Sequence, residues 1–174
     1  MGRRQKALKE IVTLKINGDS YELFIEPKKT LLEVLREELG FTGTKEGCNL
    51  GTCGTCTVLL NNKPILSCLT LAVTCKDKEI TTIEGLIDGL GKLHPIQKAF
   101  VEHGAIQCGF CTPGMILSAK ALLDENPNPT DEDIQNRIAG NLCRCTGYSQ
   151  IIEAIKSLTA PLSLPPSSWR KGRG

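Results

Sequence analysis

The sequence predicts an α+β chain, with a small sheet-forming half first and a helical half second. Three observations carry this reading. Apolar residues alternate with period two in the first part of the chain, their spacing turns helical beyond about residue 90, and the nine cysteines divide between the two halves. At 174 residues the chain has room for one ordinary domain or two small ones. Apolar residues make up 40% and charged residues 23%, which permits a packed core and argues against bulk disorder. Aromatics are only 4%, so the core has to lean on Leu, Ile, Val and Ala.

The first element is a hairpin. Val12, Leu14 and Ile16 alternate on one face, Asn17-Gly18-Asp19 turns the chain, and Tyr21, Leu23 and Ile25 return. Thr30 and Glu33 form a capping box that opens a helix with Leu31, Leu35 and Leu39 on one stripe and Gly40 as its stop. After a loop rich in Gly, Thr and Cys, Thr57 to Leu60 and Pro64 to Leu66 flank Asn61-Asn62-Lys63 as a second hairpin. A short strand from Glu79 to Ile83 closes a small mixed sheet with one helix packed across it. In the second half, Pro95 starts a helix carrying Ile96, Ala99 and Phe100, which ends at Gly104. Thr112-Pro113 starts another, with Ile116, Ala119, Leu122 and Leu123, running to Asn126-Pro127. Thr130 caps a third, with acidic residues in its first turn and Ile134 and Ile138 facing inward. Ser149 caps a fourth with Ile151, Ile155 and Leu158. Four short helices in close succession imply a compact bundle. The boundaries are residues 8–86 for the first domain and 90–160 for the second. Residues 161–174 read as a flexible tail, or as an arm laid over a partner with Trp169 as anchor.

Charge and targeting signals narrow the class. The net charge of +2 comes without a wide basic stripe, which argues against nucleic acid as the main partner. No apolar run approaches the ~20 residues that cross a bilayer. Arg3-Arg4 is followed by neither an apolar stretch nor a small-residue cleavage site, and Lys6 stands where myristoylation favours Ser or Thr. The expectation is a cytoplasmic chain whose thiols stay reduced, and an odd cysteine count cannot pair completely within one chain. Metal ligation is then the leading use of the cysteines.

The first set reads Cys48-x4-Cys53-x2-Cys56-x11-Cys68. This is the plant-type spacing for a [2Fe–2S] cluster. Four thiolates and two sulfides around two ferric ions carry a net charge of about −2, so the loop must aim N–H groups at sulfur. Gly47, Gly51 and Gly54 let it curl closely enough, and Thr44, Thr52 and Thr55 offer hydroxyl donors. Zinc is the alternative, but it favours two closely spaced pairs over three ligands in one glycine-rich loop. The second set, Cys108-x2-Cys111 and Cys143-x-Cys145, is less specific, because two cysteine pairs also suit zinc. Its placement near the starts of two helices favours an anionic centre. Cys75 is left over, a small thiol without catalytic duty.

Three stretches carry a family resemblance: Thr44-Lys-Glu-Gly-Cys48 through Cys56-Thr-Val58, Gly104-Ala-Ile-Gln-Cys-Gly-Phe-Cys-Thr-Pro-Gly114, and Gly140-Asn-Leu-Cys-Arg-Cys-Thr-Gly-Tyr148. Together they resemble the small iron–sulfur subunit of the molybdenum hydroxylases, the family of xanthine dehydrogenases, aldehyde oxidoreductases, aerobic carbon monoxide dehydrogenases and hydroxybenzoyl-CoA reductases. The resemblance spans roughly residues 8 to 160 and holds all eight ligand positions. It implies a β-grasp ferredoxin-like domain followed by a four-helix domain, each with one [2Fe–2S] cluster. It further implies a large molybdopterin subunit and a medium FAD subunit on separate chains, joined as a heterotrimer or a dimer of heterotrimers. The helical-domain cluster is then nearest the pterin, with Gln107 and Cys145 approaching it, and the other cluster lies on the flavin side.

Substrate chemistry is expected elsewhere. His94 and His103 read as helix-end or surface residues, no Ser, His and Asp fall in a triad-like order, and no G-x-G-x-x-G sits at a strand–helix turn. What remains is electron relay within a molybdopterin-dependent oxidoreductase. A stand-alone ferredoxin-like carrier and a zinc-stabilised interaction protein are the competing readings.

Overall fold

A computed structural model describes residues 8–87 and 90–159. The expected tail, with Trp169, lies outside the described residues. Two hairpins and one short strand make a five-stranded mixed sheet in the order β2-β1-β5-β3-β4. β1 (Glu10–Ile16) and β2 (Asp19–Ile25) pair in register from Glu10 opposite Ile25 to Ile16 opposite Asp19. The turn between them is two residues long, and both Asn17 (φ 54) and Gly18 (φ 88) are left-handed, the conformation that matches the twist of the strands. β3 (Thr57–Leu60) and β4 (Lys63–Leu66) repeat the device with Asn61 (φ 49) and Asn62 (φ 64), so Lys63 belongs to the strand and not to the turn.

β5 (Glu79–Thr81), the short strand expected to close the sheet, does so from its centre. It pairs parallel with β1 through Ile16 and Ile80 and antiparallel with β3 through Leu59 and Thr81, joining the hairpins. It stops short of Ile83 because Thr82 leaves the sheet. The Asn17 side chain accepts from Thr82 N–H at 2.9 Å and donates to its hydroxyl at 3.0 Å.

The Thr30–Glu33 capping box forms as expected, but only α1 (Leu31–Glu33) is regular helix. The chain continues in one wide turn, Val34–Glu38, closed by Leu39 N–H donating to the Val34 carbonyl at 3.2 Å. Leu31, Val34 and Leu35 are buried together with Leu39 partly covered beside them, and Leu32 is buried apart with Cys56 and Cys68. Leu31, Val34 and Leu35 pack on Val12, Leu14, Ile16, Val58 and Ile80, the core of the first half.

Among the described residues the second half has four helices: α2 (Pro95–Glu102), α3 (Thr112–Glu125), α4 (Asp131–Ile138) and α5 (Ser149–Lys156). His94 caps α2, its ring accepting from Ile96 N–H at 3.3 Å, and Thr130 caps α4 through a box with Asp133. Ser149 is not the cap of α5. Tyr148 holds that position with φ 70, and Ser149 is the first helical residue. α3 carries more than the expected stripe. Met115, Leu117, Ser118 and Ala121 are buried as well, because the helix has neighbours on several sides. One neighbour is the sheet. Leu59 of β3 and Leu86 share the core of the helices with Phe100, Met115 and Ile155, so the two halves are packed together.

Candidate metal centres

The first cysteine set is built on the loop between α1 and β3. Gly40 (φ 75) ends the wide turn, and Arg36 donates to the Thr42 and Thr44 carbonyls at 3.2 and 2.8 Å, anchoring the start of the loop. The curl beyond depends on missing side chains. A Cβ on Gly47 would sit 2.9 Å from Cys53 Sγ, and one on Gly51 (φ 77) would sit 2.4 Å from Leu69 Cδ1. So curled, the loop aims donors at sulfur. Leu50 N–H and Thr52 N–H each reach Cys48 Sγ at 3.3 Å, and Thr55 Oγ1 lies 3.2 Å from Cys53 Sγ. The Thr52 hydroxyl and these two N–H groups bring the Cys48 thiol down to about 5, stabilising its anion. Thr44 reaches none of the cysteine sulfurs. Its hydroxyl is buried and has no hydrogen-bond partner among the described residues.

Cys68 arrives from a distance through the second hairpin. Because Thr57 pairs with Leu66, the residues just outside the hairpin are neighbours, and Ser67 donates from Oγ to the Cys56 carbonyl at 2.7 Å. Cys56 and Cys68 are buried together over Leu32. Burial, then the hydrogen bond with Cys56, pushes the Cys68 thiol up to about 11.

The second set lies between helix ends. Cys111 immediately precedes α3, and Cys143 and Cys145 occupy the loop from α4 to α5. Cys145 Sγ and Cys108 Sγ are 3.6 Å apart, on the surface. Cys111 and Cys143 form an inner pair. Burial, then the Cys143 hydrogen bond, pushes Cys111 up to about 12. For Cys143, burial acts upward but is outweighed by the Thr146 hydroxyl and the Thr146 N–H, and its thiol is lowered. Those donors stand 3.2 and 3.5 Å from Cys143 Sγ, and Tyr148 Oη accepts from Cys143 N–H at 2.9 Å.

The thiols fall into neighbouring couples: Cys108 and Cys145 are hydrogen-bonded, Cys56 and Cys68 share one buried cluster, and Cys48 interacts electrostatically with Cys53 as Cys111 does with Cys143. All nine cysteines are free. Two pairs in each half, with N–H and hydroxyl groups converging on sulfur, fit a diiron cluster, in which each iron takes two thiolates. Among the described residues no three His, Cys, Asp or Glu side chains gather around a single ion. Cys75 lies apart in the sheet core, fully buried, with its thiol raised by that burial. Gln107 is exposed beside Cys108. The sequence reading missed Thr146, although the rule that singled out Thr52 and Thr55, a hydroxyl within a few residues of a cysteine, finds it. It also missed Asn141, two of whose partners, Gly54 and Thr57, lie more than 80 positions away on the other half.

Comparison with known proteins agrees with this chemistry. The family described as "2Fe-2S iron-sulfur cluster binding domain" matches residues 14–78, and "[2Fe-2S] binding domain" matches residues 82–156. The small FeS subunit of nicotinate dehydrogenase from Eubacterium barkeri is 50% identical over 145 residues, covering 83% of this chain and 92% of that one. This chain belongs to the small iron–sulfur subunits of the molybdenum hydroxylases. Among other relatives of the subunit, the nicotine 6-hydroxylase small subunit of Paenarthrobacter nicotinovorans is 45% identical over 150 residues, 86% of this chain and 88% of that one. Among solved structures, quinoline 2-oxidoreductase from Pseudomonas putida 86 superposes with a TM-score of 0.84 at 45% identity, covering 87% of this chain and 93% of that one. In the aldehyde oxidoreductase from Desulfovibrio desulfuricans the matching segment is 17% of a longer chain, with 86% of this one covered, 43% identity and a TM-score of 0.82.

Proposed function

We propose that this subunit relays single electrons between the molybdenum cofactor of a large subunit and the FAD of a medium subunit. The relay runs through one [2Fe–2S] cluster held by Cys48, Cys53, Cys56 and Cys68 and another held by Cys108, Cys111, Cys143 and Cys145. The observation that carries the reading is the division of eight thiols into four pairs, two in each half of the molecule. Such clusters, when bound, take up and release one electron at a time. The chain's own residues set the conditions. Leu50, Thr52 and Thr146 donate to cysteine sulfur and hold negative charge there, while Leu32 and the two cores keep water from the inner thiols.

The two halves, a β-grasp ferredoxin-like domain over residues 8–86 and a four-helix domain over 90–160, would meet different partners. Gln107 and the exposed Cys145 are assigned to the pterin side. Ile106 and Leu142 are exposed apolar residues within three positions of Cys108 and Cys145 and suit a covered interface there. Leu50 and Leu69, exposed around the first set, suit the flavin side. Assembly as a heterotrimer or a dimer of heterotrimers follows from three cofactor-bearing chains, with substrate bound on another one. No helix of the described residues is long and apolar enough to cross a membrane. Nine free thiols fit the reducing cytoplasm.

The test is metal and transfer together. An anaerobically isolated complex is expected to hold about four irons and four acid-labile sulfides per small subunit, two per cluster. Cys108→Ser is expected to abolish one iron–sulfur signal and with it substrate-driven flavin reduction. A colourless, zinc-loaded subunit, or flavin reduction persisting after loss of that signal, would overturn the proposal.

A further inference from the structure

The two sulfur-bearing loops touch, and one side chain ties them. Asn141 is 4% exposed and has all of its polar atoms engaged. Its Nδ2 donates to the Gly54 carbonyl at 2.9 Å and to Thr57 Oγ1 at 3.1 Å, and its Oδ1 accepts from Ser118 Oγ at 2.7 Å. The next residue adds a backbone bond, Leu142 N–H to the Cys53 carbonyl at 2.8 Å. Consecutive residues of the helical loop thus grip consecutive carbonyls of the sheet loop, those of Cys53 and Gly54. The fit has no slack. A Cβ on Gly54 would sit 2.2 Å from the Gly140 carbonyl, and one on Gly114 would sit 2.6 Å from the Gly54 carbonyl. Cys53 carries a sulfur of the first set and Cys143, which follows Leu142, a sulfur of the second. A covalent route therefore runs from one to the other through a single hydrogen bond.

We propose that Asn141 is a positioning residue for electron passage between the two sulfur sets: it holds the Cys53–Leu142 contact, and with it the separation and coupling of the two sites. The inference rests on the relay function above. The step it serves moves one electron from one site to the other, with no bond made or broken and no proton transferred. Only a side-chain amide suits the position, because a donor must face Gly54 and an acceptor must face Ser118. Asn141→Asp keeps the shape and the acceptor but sets a carboxylate against the Gly54 carbonyl.

The experiment uses the small subunit assembled with its partner chains. In Asn141→Asp, iron and sulfide content and both iron–sulfur EPR signals are expected to remain. The spin–spin splitting of the fully reduced sample should diminish, and the rate between the two sites should fall with it. Unchanged splitting and rate in a fully loaded variant would overturn the proposal. Should Asn141→Asp fail to load both clusters, Ser118→Ala, which removes only the hydroxyl bracing Oδ1, is expected to show a smaller loss in the same direction, and no loss there would overturn it too. A wild-type complex lacking two distinct iron–sulfur signals would instead sink the relay reading, so the two failures are distinguishable.

Discussion

A thiolate in an iron–sulfur cluster carries more negative charge after reduction than before, so each hydrogen bond to its sulfur favours the reduced state. Thr146 presents two such donors to Cys143, its N–H and its hydroxyl. Thr146→Val keeps the backbone donor and removes the other. The expected result is a lower potential for the helical-half cluster, on the order of 40 mV for about 1 kcal/mol of lost hydrogen bonding, read by EPR-monitored redox titration. An unshifted potential would mean that the hydroxyl turns elsewhere once the cluster is bound. At this scale the sequence was a good guide wherever a donor and its cysteine lie within a few positions, as with Thr52 and Cys48. Thr44 is different: proximity along the chain cannot tell which way a buried hydroxyl points, and its own has no protein partner among the described residues.

Local signals decided most elements, and the capping box at Thr30 is the clearest. Thr30 N–H and its hydroxyl donate to Glu33 Oε2 at 2.7 and 2.8 Å, and Glu33 N–H returns a bond to Thr30 Oγ1 at 3.2 Å. The Thr30 N–H and then its hydroxyl hold the Glu33 carboxyl below its ordinary 4.5. A carboxyl depressed on folding adds stability above its unfolded pKa and loses it as pH falls through the folded one. Thr30→Ala is therefore expected to cost about 1 kcal/mol near neutral pH. The deficit against wild type should shrink as pH drops below about 4.5, which urea midpoints measured along a pH series would reveal; a deficit constant with pH would count against the box. The regular helix ends after a few residues because Val34–Glu38 widens, and apolar spacing alone could not foresee that. Leu31, Val34 and Leu35 face the sheet core, while Leu32 is buried separately with Cys56 and Cys68.

At the scale of the molecule the two halves behave as one packed unit. Leu59 and Leu86 from the sheet half share a core with α2, α3 and α5, and Gly114 at the start of α3 lies against the Gly54 carbonyl. A methyl group at Gly114 would meet the Gly54 carbonyl at 2.6 Å, the Thr55 carbonyl at 3.2 Å and Asn141 Nδ2 at 3.3 Å, so Gly114→Ala is expected to cost about 1 to 3 kcal/mol by overpacking. It should also weaken the spin–spin splitting between the clusters by prising the loops apart. Calorimetry and low-temperature EPR test both effects, and wild-type values in both would show that the seam is compliant.

The order of sheet and helices, both Asn-led hairpin turns, the Thr30 and Thr130 caps and the spacing of the two cysteine sets were legible in the residues. Each is written in neighbours within about a dozen positions, or in a periodicity that survives without knowledge of contacts. The central place of β5, the pairing of thiols into four couples and the tie from Asn141 to Gly54 were not legible. These depend on which surfaces meet after the chain has turned back on itself, and one amide satisfied by three distant partners leaves no trace in sequence spacing. Local chemistry chose the parts, and burial of polar groups that had to find partners across the seam chose their arrangement.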